Sequence, residues 1–177
     1  MLQRPRETTV PPHSRAADLI EGASFYDAWS IVSSRVDRSA LDHFLTAAGR
    51  TPRWVNGAMA LRNRIVQRVG LKNLGSLSAV DAQRASSDYQ PGDRIGIFTL
   101  FENTFDEVLL GDSDKHLDVV LSVHRRALPS GDAVEITLTT VVHVKNWLGR
   151  LYMLPVKPAH RLIAPAVLAG IADMPQR

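Results

Sequence analysis

The stretch HLDVVLSVHRRALPSGDAVEITLTTVVHVK, residues 116–145, decides the fold. Apolar and polar side chains alternate on both sides of a short Pro-Ser-Gly-Asp break, which is the period of strands and not of helices. A turn centred on Ser130 and Gly131 pairs Arg126 with Glu135, Ser122 with Thr139 and Asp118 with His143. The opposite face then pairs Val123 with Leu138, Leu121 with Thr140, Val119 with Val142 and Leu117 with Val144. One face is apolar, the other is polar, and opposite charges meet. A slip of one residue would mix the two faces, so this register is well specified.

Upstream of the hairpin, RIGIFTLFEN (94–103) and DEVLLGD (106–112) read as two further strands on short turns, extending an antiparallel meander. FYDAWSIVSS (25–34) alternates weakly and reads as a first strand, at an edge. DRSALDHFLTAAG predicts a short helix with Asp37 or Ser39 as cap and Gly49 as stop. Thr51 and Pro52 then open a second helix, on which Val55, Ala58, Met59, Arg62, Ile65, Val66 and Val69 form one mostly apolar stripe. Residues 75–93 form a polar linker. The C-terminal NWLGRLYMLPVKPAHRLIAPAVLAGIADM shows no alternation and predicts a long helix, kinked or restarted at Pro155, Pro158 and Pro165. An antiparallel sheet with one apolar face must cover it, and this helix is the available cover.

The order strand, helix, helix, strands, helix predicts an α+β fold of helix-grip (START-like, Bet v 1-like) architecture, with a curved antiparallel sheet wrapped on a long C-terminal helix. Residues 1–22 predict an irregular lead-in, and 23–177 a single domain. At 177 residues the chain can bury a sizeable core. It contains no cysteine, which excludes disulfides, thiolate zinc sites and cysteine nucleophiles and fits a reducing cytoplasm. Lys and Arg exceed Asp and Glu by only 21 to 18, too little to argue for nucleic acid. Arg62, Arg64, Arg68 and Lys72 share one predicted helix and read as a solvated face. The N-terminus lacks the apolar core of a signal peptide, and the apolar C-terminus is too short and too interrupted for a membrane span.

WVNGAMALRNRIVQRVGLK, RIGIFTLFENTFDEVLLGDSDKHLDVVLSV and TTVVHVKNWLGRLYMLPVKPAHRLI together resemble the bacterial family called domain of unknown function 2867. The resemblance runs over nearly everything from Phe25 onward. It implies the helix-grip fold and a ligand-binding relationship, and it brings no catalytic residues. Related domains also occur fused behind dehydrogenase-like modules. This chain has no Gly-rich dinucleotide fingerprint and reads as the stand-alone form, with no cofactor.

Three kinds of chemistry can be weighed. Asp112, Asp114 and His116 have ligand-type side chains, but GDSDK is ordinary turn chemistry and matches no calcium loop, so no metal site is expected. No GxSxG elbow marks a nucleophile. A pocket between sheet and helices, by contrast, has candidates: Trp54, Arg62, Asn146, Arg150, Tyr152 and His160 border that space. Asp118 and His143 form a cross-strand polar pair on the other face. The expectation is a domain that binds an apolar or amphipathic small molecule. A polyketide-cyclase-like enzyme using the same cavity, and a structural or partner-binding domain with a filled core, remain the alternatives. No feature of the sequence sets an oligomeric state.

Overall fold

Residues 4–68, 75–81 and 83–172 are described by the computed structural model, the side chains of 66–68 excepted. Its centre is the predicted hairpin. Strands β6 (Leu117–Ala127) and β7 (Val134–Val144) pair antiparallel over eleven residues, and Arg126 faces Glu135, Ser122 faces Thr139, and Asp118 faces His143 as the alternation requires. Gly131 takes a positive φ of 75° in the connecting turn, a conformation that costs glycine nothing.

Every other strand attaches to one side of this hairpin or the other. β5 (Glu107–Ser113) pairs with β6, β4 (Phe98–Asn103) with β5, and β3 (Arg94–Ile95) with β4. On the far side β2 (Phe25–Ser33) pairs with β7 over nine residues, and β1 (Arg6–Glu7) pairs with β2. The result is one seven-stranded antiparallel sheet, in the order β1-β2-β7-β6-β5-β4-β3.

Two expectations about the strands change. β2 is not the edge, because β1 from the N-terminal segment pairs with Trp29 and Ser30. The stretch 94–103 is not one strand but two. Gly96 breaks it with a positive φ of 58°, and any Cβ there would lie 2.7 Å from the Leu77 carbonyl oxygen. A side chain would therefore fail on both backbone strain and space.

The helices lie against one face of the sheet. α1 (Ala40–Gly49) is capped by Ser39, whose hydroxyl accepts from Asp42 N while the Asp42 carboxylate accepts from Ser39 N. This reciprocal box satisfies two donors at the helix start. α1 buries Leu41, Phe44 and Ala48. α2 (Arg53–Arg68) starts one residue later than a Thr51 cap predicts: the Pro52 carbonyl accepts from Asn56 N, and the Thr51 hydroxyl turns back to the Ala47 carbonyl at 3.5 Å. On its stripe Val55 is fully buried, Ala58 and Met59 are half-buried, and Ile65 is exposed; Val69 and the side chain of Val66 lie outside the described residues.

α3 (Trp147–Leu168) runs as one helix through all three prolines and is not restarted at any of them. Each proline removes a hydrogen bond to the residue four positions back. Those residues, Leu151, Leu154 and Arg161, are exposed, where water can take the freed carbonyls. The start of α3 packs tightly on the sheet at Gly149, where a Cβ would run into the His116 carbonyl oxygen and come within 2.9 Å of Val144 Cγ1.

Gly149→Ala should therefore destabilise the protein by roughly 1–3 kcal/mol through overpacking against backbone. Gly57 sits mid-helix on α2 with open space around its Cβ position. Gly57→Ala should stabilise by about 0.5–1 kcal/mol through helix propensity. Urea melts of the two variants should move in opposite directions, and equal midpoints would refute this account of how α3 seats on the sheet.

Candidate functional site

The rows of the sheet under the helices can be followed across the strands. Asp27 on β2 faces Thr140 on β7, which faces Leu121 on β6, which faces Leu110 on β5. The next row runs Trp29, Leu138, Val123, Val108. Toward β5 these rows are carbon only and fully buried. Toward β2 they end in a carboxylate and an indole.

Over this surface the helices do not close completely. A cavity of about 450 Å³ lies between Leu121, Val123 and Leu138 of the sheet, Met59, Leu61 and Ile65 of α2, and Val156, Ala159 and Ile163 of α3. Phe44 of α1 and Phe98 of β4 also line it, packed edge to face with ring centroids 6.4 Å apart. Among the described residues that line it, only Arg62, Tyr152 and His160 have polar side chains, and none is a carboxylate. A volume of this size falls within the range of about 300–1,000 Å³ usual for small-molecule pockets.

The three polar residues form two groups. Arg62 Nε donates to Tyr152 Oη at 3.0 Å, and its guanidinium carbon lies 5.3 Å from the centroid of that ring. This contact ties α2 to α3 across the cavity. Arg62 Nη1 also donates to Asn63 Oδ1 at 2.9 Å. His160, from α3, reaches the β2 end of the polar row: Nδ1 lies 3.0 Å from Asp27 Oδ2 and Nε2 lies 3.3 Å from Thr140 Oγ1. Trp29 Nε1 donates to the same Asp27 oxygen at 3.2 Å, and Phe25 packs its edge on the imidazole with centroids 5.6 Å apart. Asp27 is buried, and its Oδ1 has no partner among the described residues. A carboxylate so placed needs the histidine and the indole to offset its desolvation.

Of the six side chains that border this space by sequence, the structure brings Arg62, Tyr152 and His160 to the cavity wall. Trp54 and Arg150 are exposed and do not line it. Asn146 caps α3: its Oδ1 accepts from Gly149 N at 3.1 Å, and its Nδ2 donates to the Lys115 carbonyl at 2.9 Å. Asp27 and Thr140 escape a sequence reading. The only signal for Asp27 is an acid on the inward-facing positions of a strand that otherwise carries Phe25, Trp29 and Ile31 there.

The ligand-type side chains of residues 112–116 go to separate partners. Asp112 meets Arg94 at 3.3 Å, Asp114 Oδ1 accepts from the backbone N–H groups of His116 and Leu117, and His116 Nδ1 meets the Asn146 side chain. Among the described residues no three His, Cys, Asp or Glu side chains gather in a way that could hold a metal ion. The turn is shorter than the sequence predicts: Gly111, Asp112 and Ser113 are still paired in β5 with Val120, Val119 and Asp118, and only Asp114, Lys115 and His116 turn the chain into β6.

The opposite face of the sheet carries Asp118, His143, Glu107 and His124. Asp118 and His143 are register neighbours, but their side chains part. Asp118 pairs with Lys145 Nζ at 2.6 Å, and His143 Nε2 donates to the Leu19 carbonyl at 2.9 Å. Partial burial raises the Asp118 pKa, yet the hydrogen bonds from Lys145 and Ser113 outweigh it and hold the carboxyl below its usual range, with the Lys145 and His143 charges assisting. The N-terminal segment covers this face. The Ser14 and Ser122 hydroxyls each donate to Glu107 Oε1 at 2.6 Å, and Arg15 N donates to the same carboxylate at 3.0 Å.

An α+β domain with an apolar, three-point polar cavity between sheet and helices is thus defined. The chain belongs to the family described as protein of unknown function (DUF2867), which matches residues 19–167. That span holds β2 to β7, α1, α2 and nearly all of α3, and hence the whole cavity apart from Leu168 and Ile171. No curated protein and no solved structure matches the chain.

His124, beside Glu107 on the outer face, yields a pH prediction. Burial depresses its pKa below 6.5, Glu107 and Asp106 oppose the shift, and Arg126 and His13 reinforce it. A depressed histidine stabilises the fold as the neutral ring, so its contribution is fully present above the unfolded value and is lost as pH falls through the folded one. Melting temperature should fall from about pH 7 to pH 5, and His124→Asn should flatten that slope. Parallel pH profiles for the two proteins would show that another group carries it.

Proposed function

We propose that this protein binds an amphipathic small molecule with an anionic head group, and that its fold is a helix-grip, START-like arrangement suited to that task. The architectural part rests on the strand order, in which the first long strand β2 lies against the last strand β7 and the C-terminal helix returns over the same face. The functional part rests on one observation: a 450 Å³ cavity whose described lining is apolar except for Arg62, Tyr152 and His160. Carbon on all sides favours a hydrocarbon body, and burying it supplies roughly 25 cal/mol per Å² of apolar surface. Arg62 is the cationic side chain among the described lining residues, its Nε donating to Tyr152 and its Nη1 to Asn63 Oδ1, and a guanidinium at the wall of an apolar cavity favours a ligand with an anionic end. The absence of cysteine suits residence in the cytoplasm.

A proton-transfer enzyme of polyketide-cyclase type is the second reading, favoured by the His160–Asp27 contact at the cavity wall. It requires a ring nitrogen free to reach the substrate. Nδ1 faces Asp27 and Nε2 faces Thr140, so the imidazole meets the cavity with both nitrogens engaged. That geometry favours binding.

Native mass spectrometry of protein purified from its own host should show a retained small molecule. Ala159 lines the cavity from an exposed position, so Ala159→Trp should plug it without disturbing the core and abolish retention. Arg62→Leu should weaken binding of a fluorescent long-chain carboxylate by at least about tenfold, since a hydrogen bond to a charged group is worth about 1.5–3 kcal/mol. A protein that carries nothing and binds no such probe would refute the reading.

A further inference from the structure

We infer that the outer face of α2 and α3 docks on an anionic lipid surface, with the cavity mouth toward the membrane. The inference does not depend on the cavity's ligand. It starts from where apolar surface is left bare. The described residues expose eleven large apolar side chains, and seven of them belong to these two helices. On α3, Trp147, Leu151, Leu154 and Leu162 are spaced four, three and eight apart, which places them along one side of the helix. They are 54–73% exposed. Met153, Ala164 and Val167 occupy the other side and are buried. α3 is therefore apolar on two faces, of which the sheet covers one. A helix apolar all round is normally covered on every side.

This bare stripe leads to the cavity. Pro155 and Ala159, which line the mouth, lie on α3 beside Leu162, and across the opening Leu61 and Ile65 of α2 are both exposed and part of the lining. Wall and outer surface form one apolar zone.

Charge selects the kind of partner. α2 and α3 contain seven Arg and Lys residues and no Asp or Glu. The whole chain has 21 basic and 18 acidic residues, net +3, so the remainder holds 14 basic against 18 acidic, net −4. The two helices that bear the bare stripe and border the cavity thus hold the chain's excess of positive charge, with Arg53, Arg64, Arg150, Lys157 and Arg161 at exposed positions. Arg150 and Arg161 are exposed and have no carboxylate partner among the described residues, while Lys157 Nζ donates to the Ser24 carbonyl at 3.2 Å. Tryptophan and leucine along a helix side, flanked by unpaired cations, are the requirements for a helix lying in a lipid interface, its apolar side among the acyl chains and its cations at anionic head groups. A second copy of the same face would bring like charges together.

Co-sedimentation with vesicles of phosphatidylcholine containing about one-third phosphatidylglycerol tests this. The protein should pellet with these vesicles and not with pure phosphatidylcholine, and high salt should release it. Tryptophan emission from the Trp54 and Trp147 positions should shift to the blue on binding. The triple variant Arg150→Glu, Lys157→Glu, Arg161→Glu should lose on the order of a hundredfold in partitioning, and Leu154→Glu should also abolish it. All four substituted positions are exposed, and unchanged melting temperatures would confirm that the variants are folded. The inference fails if the wild type stays in solution with anionic vesicles, or if charge reversal and lipid charge make no difference. It also fails if the face instead forms a concentration-dependent dimer that Leu154→Glu dissociates.

Discussion

The pairing of β6 with β7 is the constraint on which the rest of the structure depends. Eleven consecutive residue pairs put Leu121, Val123, Leu138 and Val142 on one face and Ser122, His124, Thr137 and Thr139 on the other. Because the side-chain period is two, no neighbouring register keeps those sets apart. β5 and β2 then extend the hairpin on either side, and each inherits its facing from it. The helices have one apolar face to cover, and the N-terminal segment has the other, polar face.

That second covering is held by hydrogen bonds where the first is held by hydrophobic burial. Glu107, buried on the outer face, accepts from Ser14, Ser122 and the Arg15 backbone, so a charge that would be costly in isolation is surrounded by donors. The inner face carries the Asp27 carboxylate under His160 and Trp29, and, at its β5 end, the Asp112 carboxylate paired with Arg94. The position of Asp27 at the β2 end makes the cavity asymmetric: hydrocarbon around Phe44 and Phe98, hydrogen-bonding groups toward β2 and between α2 and α3.

The cavity persists because the helices that cover the sheet are tied to each other and to its rim, and not packed onto its centre. α3 is seated at its start by Gly149 against β6 and β7, and farther along by His160 against β2. α2 is held to α3 through Arg62 and Tyr152. Between these attachments Leu121, Val123 and Leu138 of the sheet border the open space. Both helices keep bare apolar side chains on their exposed sides, together with the exposed cations Arg53, Arg64, Arg150, Lys157 and Arg161.

The amino-acid order by itself determined the hairpin register, the one-sided apolarity of the meander and the presence of a long C-terminal helix, and it narrowed the cap of α1 to Asp37 or Ser39, of which the structure uses Ser39. Each of these is written in residues a few positions apart, through strand alternation, capping spacing and helical period. Gly96 lay at the limit of this legibility, since its break in the strand also required the approach of Leu77. The polar groups of the cavity were half legible. Arg62, Tyr152 and His160 could be placed on helices that border the sheet, but Trp54, Asn146 and Arg150, equally plausible by type, point elsewhere. Only the tertiary structure decided that His160 meets Asp27, 133 residues away, and that Arg62 meets Tyr152, 90 residues away. Such contacts depend on how far each helix is rotated about its axis when it settles on the sheet. That rotation is set by the summed packing of many side chains, and no local spacing records it.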